Sequence, residues 1–487
     1  MSRWVTGIAI GLSAGMLLSA WAGTEARVLA LLGLVVAIII ASLFPSRERI
    51  MLGIISALAF GAGMFLYTQA FTRWYVLPET VAFMGPVEII ERGEAKVFYR
   101  PMTLRPIDVI WSGGDILYRS PTDVVGMPGE QWDFQCAVSR PENFEPGFDY
   151  RLLLATRGVG YVCEHGGQSR LSPSEGVSLR QRLASIQSGL QARIKALIPE
   201  PEAGLLSGLL IGGSDTLAPE TKAAFARAGL SHIVAVSGYN MSVVAEGLVI
   251  LSLVLGLWRR LAVGLAVIGL ALFLLIIDGS AASLRAALMA WLAFGAYFVG
   301  RPAASWNGLL LAGVVMLCFN PLLIRFDVGF QLSFLATLAL LVFARHFETF
   351  AFFRRWYGKL SALFLTTIVI ELFTLPIIIS AFGTVSLVAP FANALVLPLV
   401  PIAMFVGMAA IGLAALVPSL GFLLMPLVWL PLALIIRLAE GLAVVPWANL
   451  SGLDMTPSFA VLWYVGLGLA VYGLERIRKR YVLGMDH

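Results

Sequence analysis

About twelve stretches of this chain are apolar over something near the ~20 residues that a helix needs to cross a bilayer, and no other feature limits its fold as much. Three open the sequence, at 4–22, 28–44 and 50–67. The rest follow a long polar region, at 241–257, 261–277, 281–299, 308–319, 328–344, 360–379, 387–416, 421–442 and 458–474. The segment ending at Phe319 is short, and Pro390, Pro398 and Pro401 interrupt another, so both are candidates for broken or re-entrant helices. The expected fold class is a polytopic α-helical membrane protein, with about 12 spans or re-entrant helices and an inserted extracytoplasmic small β-barrel (OB-like) domain.

Of 487 residues, 59% are hydrophobic and 13% charged, which lies outside the soluble range. The net charge of +5 does not call for a nucleic-acid partner, because basic residues collect in the cytoplasmic loops of membrane proteins. Their positions say more. Arg3 and the joint at Arg47 and Arg49 place the amino terminus inside and let the chain emerge outside near Arg73. Alternating the later segments puts Arg259, Arg260, Arg301, the cluster Arg345, Arg354, Arg355 and Lys359, and the tail at 476–480 inside as well. The expected location is the cytoplasmic (inner) membrane with both termini in the cytoplasm. The first apolar segment lacks a small-residue cleavage pattern and reads as an ordinary span. No internal repeat supports the inverted symmetry of secondary transporters.

From about residue 71 to 171 the composition turns to Gly, Pro and charge, with short β-type runs at 81–83, 95–99, 107–111, 135–138 and 160–163. Turn signals at 112–115 and 128–129 separate them, which suggests a five- or six-stranded barrel or sandwich outside the membrane. Leu179, Leu183, Ile186, Leu190, Ile194 and Leu197 then recur at helical spacing, with Arg180, Arg182, Arg193 and Lys195 on the polar face. Such a helix lies on a membrane surface or links to the β domain by packing on it. The division is then 1–70, N-terminal helices; 71–175, β domain; 176–200, interfacial helix; 201–475, membrane domain; 476–487, basic tail. Cys318 sits in an apolar run and is expected to pack as a small hydrophobe. Cys136 and Cys163 lie in the polar region and are read either as a disulfide, if that region meets an oxidising compartment, or as two free thiols.

The stretch 209–240, LLIGGSDTLAPETKAAFARAGLSHIVAVSGYN, is polar where its surroundings are oily. Its glycines before Ser214 and Asp215 fit an anion-cradling turn or a plain turn closing a helix, and Asp215 equally suits a cap for the helix starting at Pro219. His232 and Ser237 could be a base and nucleophile, but five residues apart is a poor same-face spacing. Ser237 and Gly238 better mark a helix break where backbone approaches something closely. Asn240 completes the trio. Arg285, inside an apolar segment, needs a partner or water, with Asp278, Asp327 and Glu371 as candidates. Asp327 and Gln331, four apart, put a carboxylate and an amide on one helical face, with Ser333 and Thr337 nearby. Glu371 and Asn393 extend this sparse polar set. Four scattered histidines and three cysteines offer no metal-ligand spacing, and no cofactor is expected. In the β domain Arg92, Lys96, Arg100, Arg105 and Arg119 alternate with Phe98, Tyr99 and Trp111, either as a nucleic-acid face or as the surface and core of any β domain.

These residues resemble the ComEC family, inner-membrane channels of natural transformation. The stretch GLLIGGSDTLAPETKAAFARAGLSHIVAVSGYNMSVV resembles its competence-domain signature. DGSAASLRAALMAW, NPLLIRFDVGFQLSFLAT and 393–398 are similar to later blocks, and ENFEPGFDYRLLLATRGV to the end of its OB-like domain. The resemblance implies that one DNA strand enters the cytoplasm through the membrane domain. It marks Asp215, His232, Ser237, Gly238, Arg285, Asp327 and Gln331 as candidates for shaping the path. The family has His where this chain has Asn240, so a role resting on a second histidine does not carry over. Many relatives add a metallo-β-lactamase-like domain; here the chain ends shortly after RIRKR with no such motif, so no nuclease activity is expected.

The expectation is a channel importing single-stranded DNA without covalent catalysis. Its partners would be single-stranded DNA, the lipid bilayer, other competence proteins (a DNA receptor, a nuclease and a cytoplasmic motor) and, as one arrangement, a second copy in a homodimer. A permease or exporter for another polyanion or small solute is the alternative, and an intramembrane hydrolase built on Ser237 and His232 a third class.

Overall fold

The structure is a computed structural model that describes residues 3–21, 47–93, 99–107, 111–122, 126–143, 149–164, 168–171, 178–212, 217–234, 238–277, 281–298, 305–349 and 358–483. Helices α1 (Arg3–Trp21) and α2 (Arg47–Tyr75) come first. The polar region supplies β1 (Thr80–Arg92), β2 (Arg100–Pro106), β3 (Asp115–Ser120), β4 (Gln131–Ser139), the short helix α3 (Tyr150–Thr156), β5 (Val159–Cys163) and β6 (Gln168–Leu171). Next come α4 (Leu179–Leu197), α5 (Glu202–Leu210), α6 (Pro219–Arg227), α7 (Ser231–Val234), α8 (Gly238–Val254), α9 (Arg259–Ile276) and α10 (Ala281–Phe298). The remainder is α11 (Ser305–Phe319), α12 (Leu323–Phe326), α13 (Val328–Thr349), α14 (Gly358–Phe382), β7 (Thr384–Ser386), α15 (Ala389–Val396), α16 (Leu399–Leu416), α17 (Pro418–Ala443), β8 (Asn449–Ser451) and α18 (Pro457–Leu483).

Among the described residues seven helices are long and apolar enough to cross a membrane, in α2, α9, α10, α14, α16, α17 and α18, and four shorter apolar helices accompany them. Every expected apolar segment is helical except 28–44, which lies outside the described residues. The proline-rich segment 387–416 is broken at Leu397 and Pro398 into α15 and α16.

The chain folds as two compact units, Met1–Gly189 with Leu310–Asp327, and Leu190–Leu309 with Val328–His487. In the first, α1 lies close along α2 because Gly11 and Gly15, four apart, have no side chain to hold the backbones off. A Cβ on either would overlap the carbonyl of Ser56 or Phe60. The Ser19 and Thr68 hydroxyls are hydrogen-bonded between the same helices, at 3.0 Å.

The β domain is a closed five-strand barrel. The long strand β1 pairs antiparallel with both β2 and β4, β3 runs parallel to β5, and β5 meets β4 at Ser139 and Val162. The sixth strand, β6, adds to the outside edge of β4. β4 shows why the sheet closes: Trp132, Phe134, Cys136 and Val138 point inward while Asp133, Gln135 and Ala137 stay exposed. They meet Phe83, Val87, Ile89, Met102, Leu104, Ile116 and Tyr161 in one core. A disulfide joins Cys136 to Cys163. Asp149 caps α3 by accepting the Leu152 N–H at 3.0 Å.

Three expectations need correction. The run 107–111 is no strand at its described ends: β2 stops at Pro106, and Trp111 turns into one end of the barrel. There it packs against Phe83 and Tyr161 and donates its indole N–H to the Gly114 carbonyl at 2.7 Å. Residues 95–98 of the run 95–99 lie outside the described residues, and Tyr99 is not in a strand. Cys318 does not pack inward; it is exposed beside Phe319 on an apolar helix, where a thiol needs no polar partner.

In the second unit α5 is buried on every side and forms the centre of a core with α6, α8, α16 and α17. Prolines interrupt the helical hydrogen bonding of this unit, and two of the carbonyls they strand find side-chain donors. Pro376 has no N–H for the Leu372 carbonyl, which instead accepts the Trp463 indole N–H at 2.8 Å, and the Phe373 carbonyl accepts the Tyr464 hydroxyl at 3.1 Å. Likewise Pro401 leaves the Leu397 carbonyl to the Tyr239 hydroxyl, at 3.4 Å.

Candidate functional site

The polar stretch 209–240 is stitched into the second unit by side chains that take backbone groups. Asn240, only 1% exposed at the start of α8, donates Nδ2–H to the Leu209 carbonyl at the end of α5, 3.2 Å away. Ser386 donates its hydroxyl to the Arg227 carbonyl at the end of α6, at 2.8 Å. These bonds fix the helix ends between which the stretch runs. Asp215 and Ser237 lie outside the described residues.

His232 sits on the short α7. Its ring is accessible yet crowded by protein, and loss of solvation lowers its pKa below the ordinary imidazole value, with the Gly229 backbone bond acting in the opposite direction.

Gly238 and Arg285 are brought together. A Cβ on Gly238 would lie 2.9 Å from Arg285 Nη2, so the glycine lets the first turn of α8 approach the guanidinium. The close approach expected of this Ser-Gly pair is therefore to a side chain of α10. Arg285 donates Nε–H to Ser333 Oγ at 2.8 Å, holds Met289 Sδ at 3.4 Å from Nη1, and lies 5.9 Å from the centre of the Phe334 ring. The expected carboxylate partners are replaced: among the described residues Arg285 has no ion pair with Asp327 or Glu371, and Asp278 lies outside them. A hydroxyl, a thioether and a ring take their place.

Asp327 and Gln331 do not share a helical face. Asp327 is extended, with φ −104° and ψ 100°, at the break between α12 and α13, the conformation that aspartate favours ahead of a helix. Gln331 lies in the first turn of α13. Glu371 is half-buried in α14, ahead of Pro376. Asn393 is buried in α15, and its Oδ1 has no hydrogen-bond partner among the described residues. No hydrogen bond among those residues joins Glu371 or Asn393 to Arg285.

In the barrel the basic residues separate by what they hold. Arg105 forms a two-pronged bond to the nearly buried Asp115, at 3.0 and 2.9 Å, and this bond raises its pKa. Arg119 pairs with Glu164 at 2.7 Å and stacks on Tyr99. Arg92 and Arg100 make no ion pair among the described residues; burial and then the neighbouring Arg100 charge hold Arg92 below the usual guanidinium value. Lys96 lies outside the described residues.

The family model described as Competence protein matches residues 209–477, more than half the chain. The chain belongs to the competence protein family. The competence match begins at Leu209, whose carbonyl receives Asn240, and takes in His232, Gly238, Arg285, Ser333, Glu371 and Asn393. ComE operon protein 3 of Bacillus subtilis (strain 168) is 24% identical over 352 residues, covering 72% of this chain. The chain spans 44% of the length of that competence relative. No solved structure matches the chain. With its apolar helices, this member of the competence family is a multi-pass membrane protein.

Sequence reasoning missed Ser333 as the partner of Arg285, and missed Tyr239, Trp463 and Tyr464 as donors. The first has no local signal, since 48 residues separate the pair. Tyr239 and Trp463 had one: a proline four residues after a helical carbonyl strands that carbonyl, and Pro376 and Pro401 name Leu372 and Leu397, whereas the Phe373 carbonyl that Tyr464 takes has no such proline.

Proposed function

We propose that this chain is an inner-membrane channel that carries single-stranded DNA into the cytoplasm during natural transformation. The single observation that carries the reading is the competence match over 209–477, the region holding the buried polar groups. A polyanion needs charge compensation in a medium of low dielectric, and the groups at Gly238, Arg285 and Ser333 form such a polar junction among apolar helices. His232, Gln331, Glu371 and Asn393 are further candidates for the path or its gate, as are Asp215, Ser237 and Asp327.

The barrel is an OB-like domain on the outer side of the membrane, with both termini inside and about twelve spans or re-entrant helices in all. Its disulfide supports an oxidising, extracytoplasmic setting. Arg92 and Arg100, which make no ion pair among the described residues although the Glu130 charge lies near Arg92, are the strand-binding pair of that domain, whereas Arg105 and Trp111 hold the barrel together. The amphipathic α4 lies at the membrane surface. Other competence proteins deliver the strand and draw it inward.

The test is uptake of end-labelled DNA by competent cells with and without this protein. Loss of nuclease-protected cytoplasmic label on deletion, restored by the intact gene, supports the channel. Undiminished uptake contradicts it.

A further inference from the structure

Arg285 has no acid partner among the described residues of the membrane domain. It lies in α10, a helix of membrane-crossing length, at a junction with the first turn of α8 and with α13. A guanidinium carries five N–H donors and a charge that no pH in a cell removes. One donor is held by the Ser333 hydroxyl through Nε and one by Met289 sulfur through Nη1, while the Phe334 ring backs the group. None of these neighbours carries negative charge, and the remaining donors, including those of Nη2, have no acceptor among the described residues. A structural arginine inside a bilayer pairs with an acid or with backbone carbonyls, and neither is bonded to Arg285 among the described residues. Among the described residues this one is oriented but has no acid partner: Ser333 fixes its Nε edge, Gly238 leaves room beside Nη2, and the residue keeps partial exposure.

Resting on the channel reading above, we infer that Arg285 is a fixed counter-charge that binds one phosphodiester oxyanion of the passing strand at a time. Nη2 is the donating nitrogen, and Ser333 is the positioning residue that aims it. The two N–H groups of Nη2 suit a phosphate oxyanion, and a neutral cradle lets the phosphate go again because no second cation among the described residues holds Arg285's side of the junction. Conduction needs that weakness as much as it needs the charge.

The test uses the intact protein in its own membranes. The arginine-selective reagent phenylglyoxal is applied with and without oligothymidylate, and modification of Arg285 is followed by mass spectrometry. The inference predicts slower modification under the charged oligonucleotide and an unchanged rate under its uncharged methylphosphonate counterpart. Equal rates under both, or an Arg285 that never reacts, would overturn it, because a guanidinium closed to a small reagent is closed to phosphate. In cells, Arg285→Gln is expected to lower import about tenfold, Arg285→Lys less, with protein abundance followed by blotting. Normal import by an abundant Arg285→Gln protein removes Arg285 from the path while the channel stands. Import that is the same without the protein removes the channel itself.

Discussion

At the scale of single residues, the stretch 209–240 acts through backbone groups as much as through its own chemistry. Asn240→Ala deletes the donor to a carbonyl inside a dry core, and should destabilise the protein by roughly 1–3 kcal/mol, seen as a lower unfolding temperature in detergent. An unchanged temperature would mean that the Leu209 carbonyl finds another donor. His232 makes a prediction about pH. The unfolded ring takes its proton near 6.5 and the folded ring only at lower pH, so the unfolded state binds more protons in that window and stability falls as the solution is acidified through it. Between about pH 7.5 and 5.5 the native protein should lose more thermal stability than His232→Gln; equal losses would show that the ring is not desolvated. Residue types and positions were legible in the sequence at both sites. Their partners were not, because Leu209 and Asn240 meet only when α5 and α8 pack.

At the scale of elements, proline explains more than hydropathy does. The helix α14 is tied to α18 at Pro376, through the Leu372 carbonyl that this proline strands and through the neighbouring Phe373 carbonyl. Trp463→Phe keeps the ring and removes the N–H, and should cost about 0.6–1.7 kcal/mol, measured by denaturation in mixed micelles. A larger effect from Leu462→Ala, on the exposed side of the same helix, would contradict the account. Apolar helices could be read from composition because a bilayer demands them. The strands β2 and β3 could not, since Pro101, Pro106, the arginines and the buried polar Asp115 and Ser120 hide the alternation that turns Met102 and Leu104, or Ile116 and Tyr118, inward. Asp327 misled for a related reason: spacing by four implies a shared face only when both residues are helical.

At the scale of the whole molecule, the two units make separate demands. The barrel is small, and its disulfide closes a loop of 27 residues, a constraint worth about 3 to 4 kcal/mol in the chain-entropy model. Replacing both Cys136 and Cys163 by Ser should therefore sharply raise protease sensitivity of the barrel in intact membranes; a protein as resistant as the native one would show that the core suffices alone. The membrane unit makes the central claim, that the strand passes by the junction of α8, α10 and α13 and not along the apolar outer face of α18. A photoreactive residue placed at Ser333 or at Leu462 in the full chain, with labelled DNA stalled during import, decides between the two. Crosslinks to the strand from position 333 and none from position 462 are the expected result; crosslinks from 462 alone, or from neither site while import continues, would contradict it.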